Sequence, residues 1–291
     1  MNVALVVNPR SGRGLRLGRA LEDTLISKGI VYERIQGSSA EEAINSLNDH
    51  HSRHAFTSII SCGGDGLAHS LFPVAMALNL PLMVAPGGTG NDFSRHIGTF
   101  DKSPIEIIDA LGRVPTSRID MGQISISNRR VFFGQILSTG FDSLVNERAN
   151  GYRFLKGKAK YVIATLRELP TFIPRTYELT VDGVKSESGA MLVAIANGSS
   201  YGGGMKICPA ADSTDGLFDI LILKPVPLLT FLRVFPKVFK GRHLSHPAVE
   251  VFRGREISIS SKAVAYADGE RVGDLPIHAT VMPLALSTWI L

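Results

Sequence analysis

The sequence predicts an α/β protein whose N-terminal part is a parallel sheet covered by helices. Three apolar runs, residues 3–7, 57–62 and 81–85, each lead into a glycine-rich loop and then into a helical pattern. Strands that alternate with helices form parallel sheets with right-handed crossovers. Because ligands bind at the carboxyl ends of such strands, glycine loops after three of them indicate a binding site at that edge.

A change of pattern near residue 115 predicts a second domain. The strands become short and are separated by turns, which is typical of antiparallel β structure. Short strands are predicted at residues 177–181, 191–196, 256–260, 263–267 and 278–282, the first two forming a hairpin around Asp182-Gly183. We expect an α/β domain over residues 1–120, which a final strand at 284–291 could complete. A mainly antiparallel β domain over residues 121–283 follows, with a cleft between the two.

Composition and charge restrict the partners. The chain has 291 residues and is 44% hydrophobic, enough to bury the core of one large or two smaller domains. Lys and Arg number 31 against 26 Asp and Glu, a net charge of +5. This mild excess suits phosphate groups or an anionic surface, and it is too small to indicate nucleic acid.

Three observations predict a cytoplasmic protein. The chain starts with an apolar strand rather than a basic segment followed by an apolar one, so no signal peptide is expected. The two cysteines, Cys62 and Cys208, do not stand at a metal-ligand spacing, which favours a reduced intracellular protein. Prolines and glycine turns interrupt the longest uncharged stretch, so no membrane span is expected.

The other N-terminal elements follow from local signals. A helix with leucines at every fourth position comes after residues 8–14 and ends at Gly29. A second strand covers residues 31–35. Ser38 or Ser39 then caps a helix that has two glutamates in its first turn, where the helix dipole favours them.

The loop Gly63-Gly64-Asp65-Gly66 is the most informative stretch. Without Cβ atoms, backbone N–H groups can approach an anion closely, and the helical pattern from residue 68 adds its N-terminal dipole. A carboxylate is unfavourable in such a loop unless a cation bridges it to the anion. Asp65 therefore points to a metal–phosphate complex. The alternative is a simple turn between strand and helix.

Two acidic turns of the second domain have functional and structural interpretations. Asp212 and Asp215 could share a Mg²⁺ or Ca²⁺ site with a nearby carbonyl, or both could cap turns. Asp268 and Glu270 flank a glycine. One of them could take a proton from a substrate hydroxyl during phosphoryl transfer, or the pair could form a solvated hairpin tip.

Six motifs occur in the order found in the diacylglycerol kinase catalytic-domain family. They are Asn8-Pro9-Arg10-Ser11-Gly12, Gly63-Gly64-Asp65-Gly66, Gly87-Gly88-Thr89-Gly90-Asn91-Asp92-Phe93, Tyr201-Gly202-Gly203-Gly204-Met205, Asp215-Gly216 and Asp268-Gly269-Glu270. Each motif is weak alone, but six in one order are specific. Over nearly its whole length the chain resembles a soluble bacterial-type lipid kinase, related to sphingosine and ceramide kinases.

The resemblance implies ATP and Mg²⁺ as cofactors and assigns roles to residues. The nucleotide would contact Asn8, Pro9, Arg10, Ser11, Gly12, Gly63, Gly64, Asp65, Gly66, Leu67, Thr89 and Asn91. Asp65 and Asp92 would lie near the catalytic Mg²⁺. A structural Mg²⁺ would be bound by Asp212, Asp215 and the Leu217 carbonyl, with Asp120 linked to that site. The catalytic residues would be Asp65 and, as the general base, Asp268 or Glu270.

Some residues depart from the family pattern. Leu67 replaces the usual threonine after Gly-Gly-Asp-Gly, as in sphingosine-type kinases, and Ser70 stands where a glutamate is common. A threonine usual after the second strand has no clear match. These departures bear on the rate and on the lipid acceptor more than on the reaction class.

Two basic segments suggest contact with a membrane. Residues 148–175 hold seven Arg or Lys against Glu168, and residues 228–240 form an amphipathic pattern with Leu228, Phe231, Leu232, Phe235 and Phe239 on one face. Such a helix could lie on an anionic bilayer, or it could be a core helix kinked at Pro236. Residues 153–160 are the stronger candidate for lipid headgroups. We expect a cytoplasmic protein associated peripherally with the inner face of the membrane.

The sequence thus predicts an ATP- and Mg²⁺-dependent lipid kinase. Diacylglycerol is the favoured acceptor, and a sphingoid base or another lipid alcohol is second. One rival is a soluble phosphotransferase such as an NAD kinase, which shares Gly-Gly-Asp-Gly. Another is a catalytically silent lipid- or nucleotide-binding protein, motivated by Leu67 and Ser70. Open sheet edges could support a homodimer.

Overall fold

The computed structural model describes residues 1–9, 11–151, 163–164 and 167–291, without the side chains of residues 149–151 and 170. Arg10 and residues 153–160, for which roles were predicted, lie outside this part of the chain. The chain forms two compact units. The first comprises Met1–Ile119 and Leu284–Leu291, and the second comprises Asp120–Pro283.

The first unit is built on a four-stranded parallel sheet in the order β2-β1-β3-β4. Its strands are β1 (Asn2–Val7), β2 (Val31–Ile35), β3 (Ser58–Gly63) and β4 (Leu82–Pro86), and its helices are α1 (Gly12–Ser27), α2 (Ala40–His54), α3 (Asp65–Ala77), α4 (Asp92–His96) and α5 (Pro104–Arg113). Apart from Asn2, every residue of β1, β3 and β4 is buried, as expected for a parallel sheet covered on both faces. The three strands are neighbours, so the loops after them lie side by side.

Helix starts in the first unit follow their capping residues. Ser11 caps α1, Ser39 rather than Ser38 caps α2, and Ser103 forms a capping box with Glu106 at α5. Helix α3 begins at Asp65, earlier than the apolar pattern from residue 68 suggested, because Gly64 serves as its N-cap. Asp65 therefore lies in the first turn of a helix.

The second unit consists of two antiparallel sheets, which confirms the predicted fold class. Their strand orders are β12-β11-β10-β7-β14-β15 and β6-β5-β16-β13-β8-β9. The strands are β5 (Ser117–Ile126), β6 (Arg129–Phe133), β7 (Ile136–Gly140), β8 (Arg175–Val181), β9 (Val184–Ala190), β10 (Leu192–Ala196), β11 (Phe218–Leu223), β12 (Val249–Gly254), β13 (Glu256–Ser260), β14 (Val264–Ala267), β15 (Glu270–Asp274) and β16 (Ile277–Thr288). Phe133 and Phe218, one from each sheet, stack with ring centroids 5.6 Å apart. They belong to one core cluster to which both sheets contribute.

Two strand predictions in the second unit were wrong. The hairpin partner of β8 is β9, not the apolar strand that follows it; β9 was missed because nearly all its residues are polar or exposed. The apolar β10 pairs instead with β7 and β11. The separate strands predicted at 278–282 and 284–291 are mostly one strand, β16, which continues through Pro283.

The second unit also contains α6 (Phe141–Gly151), α7 (Leu228–Val234) and short 3₁₀ helices at Leu169–Thr171 and Phe235–Lys240. The predicted amphipathic helix over residues 228–240 is thus α7 followed by a 3₁₀ turn that contains Pro236. Within the described ranges, none of the helices combines the length and apolar character that crossing a bilayer requires. Both cysteines are buried free thiols.

Candidate active site

The three glycine loops of the first unit pack backbone against backbone. A Cβ atom on Gly88 would lie 2.3 Å from the Cα atom of Gly64, and one on Gly87 would lie 3.0 Å from the Cα atom of Gly14. Real Cβ atoms essentially never come as close as the first distance, and the second is tighter than nearly all real contacts. The loops after β1, β3 and β4 therefore meet only because glycine stands at the contacts.

Ser11 connects the first loop to the third. Its hydroxyl donates to the Gly87 carbonyl at 2.7 Å and accepts from the Gly14 N–H at 3.0 Å. The Gly87 N–H in turn donates to the Gly63 carbonyl at 2.8 Å. One hydroxyl therefore caps α1 and fixes the position of the third loop.

Asn91 shapes the third loop from inside. Its Oδ1 accepts from the Gly88 N–H at 2.8 Å, and its Nδ2 donates to the Gly88 carbonyl at 3.0 Å. The residue is 1% exposed and has a positive φ of 57°. Thr89, at the tip of the loop, is exposed. Of the two predicted nucleotide contacts in this loop, Asn91 supports the backbone while Thr89 faces solvent.

Helix α3 presents an N-terminus suited to an anion. Its N-cap is Gly64, and no side chain caps its first turn. The first turn of α1, at the neighbouring loop, holds no acidic residue. Backbone N–H groups and the positive end of the helix dipole make such termini favourable for phosphate.

Two carboxylates flank Gly90 at this same edge. A Cβ on Gly90 would lie 2.6 Å from Asp65 Oδ2 and 3.4 Å from Asp92 Oδ2. Asp65 Oδ1 also accepts from the Phe93 N–H at 3.2 Å, which ties α3 to the start of α4. Neighbouring carboxylates repel each other unless a cation neutralises them. Mg²⁺ in nucleotide sites is held by one or two carboxylates together with phosphate oxygens, so this pair fits a catalytic Mg²⁺.

Arg95 places a cation near the acidic pair. Its guanidinium lies over the ring of Phe100, 3.3 Å from the centroid, and donates to the Gly90 carbonyl at 3.4 Å. Stacking on an aromatic face restricts the guanidinium to one position. A fixed positive charge therefore lies beside the loop where phosphates would bind.

The two departures from the family pattern have defined contacts. A Cβ on Gly63 would lie 2.7 Å from Leu67 Cδ2, so the leucine packs over that glycine. The Ser70 hydroxyl donates to the Gly66 carbonyl at 2.9 Å, within its own helix. Leu67 thus contributes an apolar surface to the loop after β3.

In the second unit, the acidic turn at residues 212–217 docks on Asp120. The Asp120 carboxylate accepts from the Gly216 N–H at 2.7 Å, and the Asp120 N–H donates to the Ser213 carbonyl at 2.6 Å. Asp120 is fully buried. The structure therefore brings together Asp120 and the turn to which it was expected to be linked.

Asp212 and Asp215 both make turn-capping contacts. Asp212 Oδ1 accepts from the Thr214 N–H at 2.9 Å, and Asp215 Oδ1 accepts from the Leu217 N–H at 3.0 Å. Asp215 also pairs with Arg253. Among the residues that the structure describes, no three His, Cys, Asp or Glu side chains come together as a metal-binding group. A structural Mg²⁺ on Asp212, Asp215 and the Leu217 carbonyl stays a prediction.

Asn197 connects Asp120 to the second acidic turn. Its Nδ2 donates to the carbonyls of Asp120 and Gly134, both at 2.9 Å, and the residue is 1% exposed. The carboxylate of Asp268 then accepts three backbone N–H groups, from Gly134, Gln135 and Ile136, at 2.8–3.1 Å. A continuous set of hydrogen bonds thus joins the two acidic turns.

The turn at Asp268-Gly269 presents Glu270 to solvent. Both turn residues have positive φ, 50° and 88°, which is typical of a two-residue hairpin loop. The carboxylate of Asp268 is occupied by the three N–H groups at the start of β7, whereas the side chain of Glu270 is exposed. The two carboxylates therefore have different environments, a distinction the sequence left open.

Two hydrogen-bonded polar residues, Asn197 and Asp142, were not among the site residues predicted from the sequence. Asp142 lies in the first turn of α6 and accepts from the Tyr201 hydroxyl at 3.1 Å. Burial raises the pKa of its carboxyl to about 6. The Tyr201–Met205 motif was a signal for Tyr201, but no sequence pattern pointed to its partner Asp142, 59 residues earlier.

A parallel α/β unit with three glycine loops at one edge, followed by a β-sandwich unit with an acidic hairpin tip, defines a kinase-type phosphotransferase. Residues 2–124 match the diacylglycerol kinase catalytic domain, and residues 135–290 match the YegS C-terminal NAD kinase beta sandwich-like domain. The chain belongs to the diacylglycerol kinase family and is a diacylglycerol kinase-like lipid kinase.

Individual relatives agree with this assignment. A diacylglycerol kinase of Mycobacterium tuberculosis is 34% identical over 98% of this chain and 93% of its own length. One from Bacillus subtilis is 26% identical, with coverages of 94% and 90%. A crystal structure of a diacylglycerol kinase from Bacillus anthracis superposes with a TM-score of 0.71 at 19% identity, covering 100% of this chain and 97% of that one. The structural likeness confirms the fold, and the sequence relatives confirm the family.

Proposed function

We propose that the protein transfers the γ-phosphoryl group of ATP to the hydroxyl of diacylglycerol, forming phosphatidic acid, in a Mg²⁺-dependent reaction. The observation that carries this proposal is the pair of carboxylates, Asp65 and Asp92, that flank Gly90 where the three glycine loops meet. An acidic pair beside an anion-binding helix N-terminus fits a metal-bound polyphosphate better than a free anion. The related diacylglycerol kinases of Mycobacterium tuberculosis and Bacillus subtilis favour diacylglycerol as the acceptor.

The residues of the chain divide the work of phosphoryl transfer. The backbone of the glycine loops and the N-terminus of α3 hold the phosphates of ATP, and Asp65 and Asp92 would hold the Mg²⁺ ion. Bound Mg²⁺ would neutralise charge on the phosphate oxygens. Glu270 takes the proton of the acceptor hydroxyl, whose oxygen attacks the γ-phosphorus while the bond to the bridging oxygen breaks and ADP leaves.

The choice of Glu270 as base follows from hydrogen bonding. The carboxylate of Asp268 accepts three backbone N–H groups, and its lone pairs are directed at them. Its place is therefore to hold the hairpin that carries Glu270. Positioning and charge neutralisation supply most of the catalysis in this type of reaction.

Transfer of labelled γ-phosphate from ATP to a panel of lipids in mixed micelles tests the proposal. We expect labelled phosphatidic acid with the wild-type protein, and loss of the label in Asp65→Asn but not in the matched variant Asp101→Asn, which changes an exposed aspartate of the same unit. If a different lipid is labelled, such as a sphingoid base phosphate, the assigned acceptor changes and the proposed mechanism is retained. Label only in a water-soluble alcohol, or ATP binding without transfer, would contradict the proposal.

A further inference from the structure

An apolar face is exposed on the second unit. It consists of Leu228, Leu229 and Leu232 of α7 and Phe239 of the 3₁₀ helix that follows. These side chains are 42%, 68%, 43% and 48% exposed, respectively. Four large apolar side chains exposed on one short segment mark an interaction surface rather than ordinary surface composition.

The segment that carries this face is firmly anchored. Phe231 and Val238, between the exposed residues, are 6% and 5% exposed. The Phe231 ring lies 5.4 Å from that of Phe235 and 5.3 Å from that of Phe141. The sequence pattern places Phe231 and Phe235 on the same face as the exposed residues, but in the structure Phe231 is buried and Phe235 is half-buried against the same cluster. The outward leucines are therefore held in place by an aromatic cluster beneath them.

The surroundings of the apolar face are basic. The stretch 224–249 contains no Asp or Glu and five Lys or Arg: Lys224, Arg233, Lys237, Lys240 and Arg242. Lys224 pairs with Glu250. Within the described part of the chain, no ion pair is formed by the other four, and Arg233, Lys237 and Lys240 are exposed. Positive charge thus accompanies the apolar face along a segment that contains no acid of its own.

We propose that this face docks the protein on an anionic lipid bilayer, with Leu229 inserted below the headgroups and Lys237 and Lys240 among them. The apolar side chains suit the acyl chains of a bilayer, and the nearby lysines, which form no ion pair within the described part of the chain, suit its anionic headgroups. A protein partner would have to supply both an apolar patch and several acids. The inference rests on the proposed function in one respect: diacylglycerol resides in the bilayer.

Vesicle binding tests the apolar part of the proposal. The full chain is mixed with vesicles of phosphatidylcholine alone or with added phosphatidylglycerol, and the bound fraction is measured by flotation. Leu229→Glu should weaken binding about tenfold, since it replaces an inserted side chain by a charge. Ile26→Glu, at a helical position that is 63% exposed in the first unit, should bind like wild type. Equal binding by both variants would overturn the proposal.

Charge reversal tests the basic part. Lys237→Glu should reduce binding to phosphatidylglycerol-containing vesicles several-fold at low salt and less at high salt. Lys185→Glu, an exposed lysine on β9, is the matched control and should bind like wild type. A loss of the same size in both would indicate net charge rather than this face. A change from dimer to monomer in Leu229→Glu with unchanged vesicle binding would assign the face to self-association and overturn the proposal.

Kinase assays separate this inference from the proposed function. Leu229→Glu should lose activity on diacylglycerol in anionic vesicles while keeping it on a short-chain diacylglycerol dissolved in buffer. If wild type binds vesicles and phosphorylates no lipid, the docking surface stands and the proposed function fails. If wild type phosphorylates diacylglycerol and Leu229→Glu does so equally well in vesicles, the docking surface fails and the function stands.

Discussion

Gly90 leaves no room for a side chain beside the carboxylates of Asp65 and Asp92. Its φ is not in the left-handed region, so the backbone accepts alanine, but the added Cβ would lie 2.6 Å from Asp65 Oδ2. We expect Gly90→Ala to displace that carboxylate and lower kcat/KM about a hundredfold. Because the displaced atoms end a side chain, the free energy of unfolding should change by less than about 1 kcal/mol. Gly112→Ala, with no atom near its added Cβ, is the control. Unchanged kcat/KM in Gly90→Ala would show that the Asp65 position does not matter.

The two acids of the hairpin tip should respond differently to neutralisation. Glu270→Gln removes the exposed carboxylate that we propose as the base, and it should lower kcat by roughly two to four orders of magnitude with an unchanged melting temperature. Asp268→Asn weakens the acceptor of three backbone N–H groups and should cost about 1–3 kcal/mol of stability. Measuring kcat and the melting temperature of both variants shows which of the two acids affects catalysis and which affects stability. The opposite pattern would make Asp268 the base.

Asp142 should make stability depend on pH. Burial raises the pKa of its carboxyl from 3.8 to about 6, so between these values the folded protein keeps a proton that the unfolded chain loses. Its contribution to the free energy of unfolding therefore falls as pH rises through this window and is lowest above it. Urea unfolding of wild type and Asp142→Asn across the window should show the decline in wild type relative to the variant. Parallel curves would contradict it.

At the scale of elements, Ser11 joins two structures where an ordinary cap serves one. Ser11→Ala and Ser39→Ala each remove a helix N-cap and should each cost about 1 kcal/mol. Only the Ser11 hydroxyl also donates to the Gly87 carbonyl, so only Ser11→Ala should raise the KM for ATP. Thermal unfolding and ATP titrations on both variants check this. An equal KM in the two variants would mean that the third loop holds its position without Ser11.

Helices and strands could be predicted from the sequence where their burial requires a regular pattern of apolar residues. The strands β1, β3 and β4 are buried on both faces and appear in the sequence as apolar runs. The polar β9 gave no such signal, because its partner β8 supplies the buried residues and its own side chains face solvent. The glycine loops after three strands predicted a binding edge of the sheet, and the structure places these loops against one another. Phosphate binding at this edge stays a prediction.

The site in the second unit was less predictable than the glycine loops. The pairing of Asp120 with the Gly216 N–H, and of Asn197 with two carbonyls, joins residues far apart in the chain. Hydrogen bonds of this kind depend on how strands are ordered in the sheets, which periodicity does not encode. The different environments of Asp268 and Glu270 likewise became visible only with three N–H groups placed around one of them.

At the scale of the whole molecule, the first unit is assembled from two separate stretches of chain. Trp289 is 3% exposed, the Thr288 hydroxyl donates to the Leu82 carbonyl at 2.7 Å, and the Leu291 N–H donates to the Ile97 carbonyl at 2.9 Å. Trp289→Ala should destabilise this unit by about 3–5 kcal/mol. Calorimetry should show its unfolding transition at a lower temperature, while Ile290→Ala, 42% exposed, leaves it in place. Equal transitions would mean that the last residues add little to the unit.

The contribution of Leu284–Leu291 to the first unit also has a consequence during translation. The ribosome delivers β1 to α5 first, yet the contacts to Leu82 and Ile97 form only after the entire sandwich has emerged. The three glycine loops therefore remain on an unfinished scaffold while the second unit is synthesised, so the edge of the sheet that carries them is made first and completed last.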